Sequence, residues 1–483
     1  MSLERRIAPI LVATFTSSAL RNLRRHASEA RRRISRQPHR VHYFHQVDDP
    51  YSHLASQVLA RLSDAYDIEL LPHLVGKPPE DAAPEPERLA DFARKDAADI
   101  APAYGLLFPR RDEAPREPLV ELATSILAAA PTHDFIHRAA EIGTALWAND
   151  EPALAEISKA LAPADIRATS ARVAYGTELR RKLGHYLGAT FFYAGEWYWG
   201  IDRLHYLETR LRALGAAKGC AGPPIVAPPT EGGATATRAG GHGSDVVLEF
   251  YPSLRSPYTA ISMPRVYGLA ARYPIDLRLR PVLPMVMRGL PVPRAKRLYI
   301  VQDTKREADR ASVAFGRVCD PVGEPVEKAF ALFPWAREKG RGAELLRSFT
   351  DAAFAEGIDT GSETGMRYVV ERAGLSWDEA QAHRNNENWR EELEKNRQQL
   401  LALGLWGVPS FRVQGGGEPD FCTWGQDRIW LVEREIARRL TQSSSPSSGD
   451  PMRESRSQPA PVDTTGRRGT GGSNSISREE GEL

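Results

Sequence analysis

Val41-His-Tyr-Phe-His-Gln-Val-Asp-Asp-Pro-Tyr-Ser52 and Val247-Leu-Glu-Phe-Tyr-Pro-Ser-Leu-Arg-Ser-Pro-Tyr-Thr259 open two segments of this chain in the same way. In each, an apolar run of strand character reaches a turn, and an X-Pro-Tyr step then opens a helical pattern. Proline suits the first helical position because an N–H there would have no intrahelical partner. Setting Pro50 on Pro257 also lays Ile68-Glu-Leu on Ile275-Asp-Leu and Lys95-Asp96 on Gln302-Asp303. The segments end alike too, in Gly195-Glu-Trp-Tyr-Trp-Gly-Ile-Asp-Arg-Leu204 and Phe421-Cys-Thr-Trp-Gly-Gln-Asp-Arg-Ile429, where Trp-Gly-x-Asp-Arg recurs. The second segment is the longer one inside. A unit duplicated and then diverged explains both matches. Each copy reads as strand–helix–strand, a long stretch of helical period, and a closing hairpin with a final helix. In the second copy these are Phe411-Arg-Val, a turn at Gly415 to Gly417, Phe421-Cys-Thr-Trp and a helix from Gln426 to Leu440. A βαβ unit and a ββα unit separated by a helical insertion make an α/β architecture.

The 483 residues exceed what one core supports, so two domains plus tails are expected. We divide the chain into a basic extension (1–38), a first domain (39–215), a flexible linker rich in glycine and proline (216–244), a second domain (245–441) and a tail (442–483) too poor in large apolar residues to order itself. With 42% hydrophobic and 26% charged residues and a net charge of +2, nothing in the bulk composition calls for nucleic acid. Cys220, Cys319 and Cys422 have neither C-x-x-C spacing nor the clustering of a zinc site, which argues against a disulfide-stapled secreted protein. His45, His53 and His73 show no ligand spacing, so no metal is expected. The apolar run Ile7 to Leu20 is too short to span a bilayer and is broken by Pro9. Arginines follow that run, the wrong order for a secretion signal, and a cytoplasmic location is expected. The extension is read as a helix that touches an acidic surface.

In the second copy, Phe250-Tyr-x4-Ser256-Pro257-Tyr258 is followed by Lys296-x2-Tyr299-x3-Asp303-x2-Arg306, then Trp406-Gly407-Val408-Pro409-Ser410-Phe411, then Trp424-Gly-Gln-Asp-Arg428. This order of motifs, over residues 245–440, resembles the 2-hydroxychromene-2-carboxylate isomerases and the kappa-class glutathione transferases. The resemblance implies a tandem of thioredoxin-like, DsbA-type domains, each with an inserted helical subdomain. It implies glutathione as cofactor and a small aromatic substrate as partner. The implied reaction interconverts 2-hydroxychromene-2-carboxylate and trans-o-hydroxybenzylidenepyruvate. Carried over, Ser256 sits beside the glutathione thiol as the catalytic residue, Val408 before a cis Pro409 pairs with the tripeptide backbone, and Gln426 with Asp427 holds the γ-glutamyl end. The pattern departs in one loop. These families carry an asparagine after the second strand, where this chain has Pro284-Met-Val-Met-Arg-Gly-Leu-Pro-Val-Pro293, leaving Arg288 as the candidate replacement.

The chemistry is coherent without the family. A helix N-terminus presents unpaired N–H groups and a positive dipole end, which favour a thiolate, and a serine hydroxyl donates one bond more. Exposed backbone at Val408 accepts an extended peptide as a short strand. Against this stand simpler readings: Ser256-Pro257 is also an ordinary N-cap, Asp427 an ordinary first-turn acid, and Trp199 and Trp424 packing residues. A glutathione-dependent isomerase, a kappa-like transferase, a DsbA-family oxidoreductase and a non-catalytic binding or assembly protein all remain open. The first copy is expected to be silent, with Asp49 where the second has Ser256.

Overall fold

The computed structural model describes residues 3–111, 113–219, 222–232 and 245–443. Most of the expected tail, part of the linker and Cys220 lie outside the described residues.

Two four-stranded sheets share one plan. The first holds β1 (Arg40–His45), β2 (Glu69–Leu74), β3 (Thr190–Tyr193) and β4 (Glu196–Trp199) in the order β2-β1-β3-β4; the second holds β5 (Val247–Tyr251), β6 (Asp276–Leu279), β7 (Ser410–Gln414) and β8 (Phe421–Trp424) in the order β6-β5-β7-β8. In both, the first two strands pair in parallel across helical crossovers and the remaining pairs are antiparallel. The crossover helices start where the prolines place them, at Pro50 with Asp49 as cap and at Pro257 with Ser256 as cap. The long helical insertions lie between β2 and β3 and between β6 and β7. This is an α/β tandem of thioredoxin-like, DsbA-type folds. Register repeats as well as topology. Tyr43 faces Phe191 across β1 and β3 with ring centroids 4.8 Å apart, and Phe250 faces Phe411 across β5 and β7 at 5.4 Å. Such cross-strand aromatic pairs lock register, since a slip of one residue would turn each ring to the other face.

Of the stretch expected to be a linker, the described residues 222–232 are bonded to both domains. Val226 is buried in the first core, and the N–H groups of Ile225 and Val226 donate to the Glu208 carboxylate, 2.8 and 3.2 Å away. Gly232 N–H donates to Glu433 of the second domain at 2.6 Å. Composition shows the glycines and prolines there but not the two buried carboxylates that fix them.

The domains meet across a reciprocal exchange of charge. Arg203, from the first copy's Trp-Gly-x-Asp-Arg, reaches Asp303 of the second domain through Nε and Nη2 at 3.0 and 2.9 Å, and Asp427 through Nη1 at 3.0 Å. Arg428, from the second copy's motif, reaches Asp96 of the first domain through Nε and Nη2, both at 2.7 Å, and Asp202 through Nη1 at 3.0 Å. Tyr51 donates to Asp96 and Tyr258 to Asp303, each at 2.8 Å. Arg203, Arg428, Asp96 and Asp303 are each at most 4% exposed. Ions this deep are tolerated only when every partner is present, and removing one partner of such a pair costs about 3–5 kcal/mol.

Arg428→Met is therefore expected to lower unfolding stability in urea by about 3–5 kcal/mol. Adding Asp96→Asn and Asp202→Asn should restore much of the loss, because the uncompensated charges go with it. A single variant as stable as the parent would show that the seam does not carry buried charge.

Candidate functional site

The expected site residues gather at the end of β5. The strand stops at Tyr251, which pairs with Ser410, so the turn 252–256 and the Val408–Pro409 step before β7 share one edge of the sheet. The Val408–Pro409 bond is cis. Ser256 is partly exposed and caps the helix Pro257–Arg272, its Oγ accepting from Thr259 N–H at 3.2 Å. The hydroxyl proton is left over, since among the described residues no acceptor is bonded to it. Pro409 C=O accepts from Gly425 N–H at 2.9 Å, and Ser410 Oγ donates to Gly407 C=O at 2.8 Å. The Val408 N–H and C=O make no hydrogen bond among the described residues. Gly407 is required by close approach, because a Cβ there would lie 2.0 Å from the Trp424 ring. Trp424 itself packs between Trp406 and Phe92, the latter from the first domain, each with ring centroids 5.3 Å away.

Gln426 and Asp427 stand at the same end of the sheet, in the turn Gln426–Arg428 that precedes the helix Ile429–Ser443. The final helix thus starts later than its expected opening at Gln426. Both side chains are engaged. Gln426 donates to Glu307 at 2.9 Å and accepts from Arg265 at 2.7 Å, while Asp427 Oδ2 accepts from Arg203. Burial alone would raise the Asp427 carboxyl, but Arg428 and Arg203 beside it hold it below its ordinary value. Its Oδ1 accepts no hydrogen bond among the described residues and lies 3.7 Å from Arg428. Arg288 lies in the turn Met285–Arg288, its Nε buried without a hydrogen-bond partner among the described residues.

The residues of the Lys296–Arg306 motif face the first domain. Lys296 donates to Ala82 C=O at 2.8 Å, Tyr299 meets His185 edge-on at 4.6 Å, and Arg306 donates to Trp197 C=O at 3.1 Å. Sequence reading attached this motif to the ligand-binding resemblance and missed the seam. A signal was available. Lys95-Asp96 aligned on Gln302-Asp303, and the Asp-Arg pair recurred at both domain ends, so opposite charges repeated together.

The corresponding edge of the first domain is closed. Asp49 caps the helix Pro50–Ser56, accepting from Tyr51 N–H, Ser52 N–H and Ser52 Oγ at 3.3, 3.0 and 2.7 Å. Where the second domain has its cis step, Ala189 is held at φ 53° and donates its N–H to Ser52 Oγ at 2.9 Å. Gly188 lies so close that a Cβ would come within 3.0 Å of Asp49 Oδ2. The loop folds onto the helix cap, and Ala189 spends on Ser52 a backbone N–H that Pro409, at the corresponding place, does not have. Burial lifts the Asp49 carboxyl to about 6.

Cys319 and Cys422 are both buried, and burial pushes the Cys422 thiol up, away from the reactive thiolate. Among the described residues, the helix start that would carry a nucleophilic cysteine carries Ser256.

Residues 247–437 match the family model of the DSBA-like thioredoxin domain, and we describe that stretch as such a domain. No curated protein sequence matches the chain. Among solved structures it is similar to a 2-hydroxychromene-2-carboxylate isomerase, at 19% identity over 41% of this chain and 97% of that one, with a TM-score of 0.35. It is similar to a probable DsbA oxidoreductase from Streptomyces coelicolor, at 16% identity over 41% and 90%, with a TM-score of 0.32. A third is the cytosolic disulfide reductase DsbM from Pseudomonas aeruginosa with GSH, at 17% identity over 41% and 98%, with a TM-score of 0.28.

The closed edge gives a pH test. Because the folded state raises the Asp49 carboxyl, it binds more protons than the unfolded chain between the ordinary carboxylate range and about pH 6. Asp49 thus favours folding at low pH and loses that contribution as pH rises through about 6. Relative to the parent, Asp49→Asn should gain on the order of 2 kcal/mol between pH 4 and pH 7 in chemical denaturation. A difference that stays flat across this range would place Asp49 in an ordinary, solvated setting.

Proposed function

We propose that the second domain binds glutathione at Ser256 and Val408-Pro409 and serves as a glutathione-dependent isomerase of a small aromatic substrate. The observation that supports this reading best is a serine with an uncommitted hydroxyl proton, at the cap of a long helix, on the sheet edge that also carries a cis proline whose preceding residue has unbonded backbone groups. The residues present fit a thiol-bearing tripeptide. Ser256 Oγ and the first N–H groups of the helix Pro257–Arg272 stabilise a thiolate, the Val408 backbone takes an extended peptide, and Asp427 Oδ1 takes an ammonium group. Gln426 joins them only by sharing its amide with Glu307 and Arg265.

Bound glutathione supplies a thiolate able to add reversibly to a conjugated double bond, the chemistry of a cis–trans isomerisation such as that of trans-o-hydroxybenzylidenepyruvate. The chain's own part is to orient the peptide and to keep the sulfur ionised. Serine at this helix start favours isomerisation over thiol–disulfide exchange, because no protein thiol stands where the attacking cysteine of an oxidoreductase is needed. The first domain serves as a fixed partner, with Arg203 bonded to Asp427 from across the seam. A second reading, a non-catalytic assembly protein, draws on the commitment of Gln426 and Asp427 to that seam. A kappa-like transferase would bind the same cofactor at the same residues and differ only in its second substrate.

Calorimetric titration of the full chain with glutathione is expected to show one site per chain, and its absence would favour the assembly reading. Ser256→Ala should lose about 1 kcal/mol of stability with the cap, together with glutathione-dependent turnover. Ser256→Asp should keep the cap and lose more turnover still, since it sets a carboxylate against the thiolate. An Asp variant of full activity would remove Ser256 from the chemistry.

A further inference from the structure

The helix Ser18–Ile34 of the basic extension is mounted inside out. Its charged side faces the protein: Arg25 forms a bidentate pair with Glu196 at 2.6 and 2.7 Å, and Arg21 lies 3.6 Å from Asp309 of the second domain. Arg32 is held by Glu29 and by the Gln37 carbonyl, all at 2.8 Å. At about 100° per residue, Leu23, Ala27, Ala30 and Ile34 fall on one stripe of the opposite side. That stripe faces solvent, with Leu23 64% and Ile34 84% exposed. Arg24 and Arg31 border it on one side, His26 and Arg33 on the other, and all four are exposed. The preceding helix, Leu3–Thr16, packs Val12 against the Ala308 and Phe315 cluster of the second domain and leaves Ile10 and Leu11 outward.

A surface helix ordinarily buries its apolar stripe and offers its charges to water. Here ion pairs to both domains hold the reverse orientation. The outward pattern, a narrow apolar stripe between rows of cations, is that of a helix lying in the headgroup region of a membrane. We infer that this face docks the whole two-domain body on an anionic lipid surface, with Leu23 and Ile34 at the boundary of the acyl chains and Arg24 and Arg31 on the phosphates. Charge selects this occupant. A second copy of the chain would bring an equally cationic face against this one, and like charges across an interface oppose association. A nucleic acid would take the arginines but leave Leu23 and Ile34 in water. Glu29 is the sole carboxylate of the helix, and Arg32 and Arg33 hold it.

The test is sedimentation of the full chain with vesicles of phosphatidylcholine alone and of phosphatidylcholine mixed with phosphatidylglycerol, at low and high salt. Binding is expected on the mixed vesicles, about tenfold or more above the neutral ones, and weakened by salt. Arg24→Gln with Arg31→Gln should lower the affinity by about fivefold per arginine. Leu23→Glu with Ile34→Glu should abolish binding while leaving circular dichroism and glutathione titration unchanged, since neither side chain is buried. No binding, equal binding to neutral vesicles, or full binding by the double glutamate variant would overturn the inference. So would a concentration-dependent dimer that this variant loses, which would assign the stripe to a second copy.

Discussion

Two guanidinium groups, each reaching out of its own domain into the carboxylates of the other, hold this molecule in its arrangement. Arg203 and Arg428 are too deeply buried to be charged without partners, and the partners they have are supplied chiefly from across the seam. The domains therefore have little freedom to slide or part, because any displacement would strand ions in a low-dielectric interior. An apolar interface of the same size would resist separation but would not define one geometry so narrowly. Planar, bidentate bonds do, since they fix direction as well as distance.

The same bonds reach the candidate site. Tyr258 lies two residues beyond Ser256 and is tied to Asp303, which Arg203 holds; Asp427 is held by Arg203 directly. The helix start at Ser256 and the turn at Gln426–Arg428 thus take their positions in part from the first domain. In return the first domain has closed its own edge, with Asp49, Ser52, Gly188 and Ala189 bonded or packed into one another. The two halves match in the arginine motifs that bind each other and differ at the sheet edge where the second holds Ser256 and Pro409.

Most of the fold was legible because its signals are local. The X-Pro-Tyr steps, the closing hairpins and the repeated Trp-Gly-x-Asp-Arg each depend on a few consecutive residues, and the structure places the strands and the helix starts at Pro50 and Pro257 where they indicate, the final helix alone opening later, at Ile429. The cis step at Pro409 was legible only through resemblance to a family, since X-Pro bonds in folded proteins are cis in about 5–6% of cases and no local feature distinguishes this one. What escaped was every relation between distant segments. Asp427 reads as a first-turn acid and Lys296 to Arg306 as part of a ligand-binding resemblance, yet their partners lie in the other domain. The hold on residues 222–232 escaped for the same reason: a stretch rich in glycine and proline looks free until Glu208 and Glu433 are found accepting from Ile225, Val226 and Gly232. The orientation of the helix Ser18–Ile34 followed from neither its composition nor its period, because only the positions of Glu196 and Asp309 determine which side turns inward.

Joining the two halves in one chain changes the law that governs their pairing. Separate subunits meeting through such a seam would come apart on dilution, whereas tethered ones experience an effective concentration set by the tether, of millimolar order for a short connection. The pairing is then independent of how much protein the cell makes. A tether also breaks an obligation of symmetry. In a homodimer one codon writes both faces, so a change at the capping position would appear in both sites at once. Here two codons write them, so Asp49 and Ser256 can differ while each half keeps its arginine at the seam.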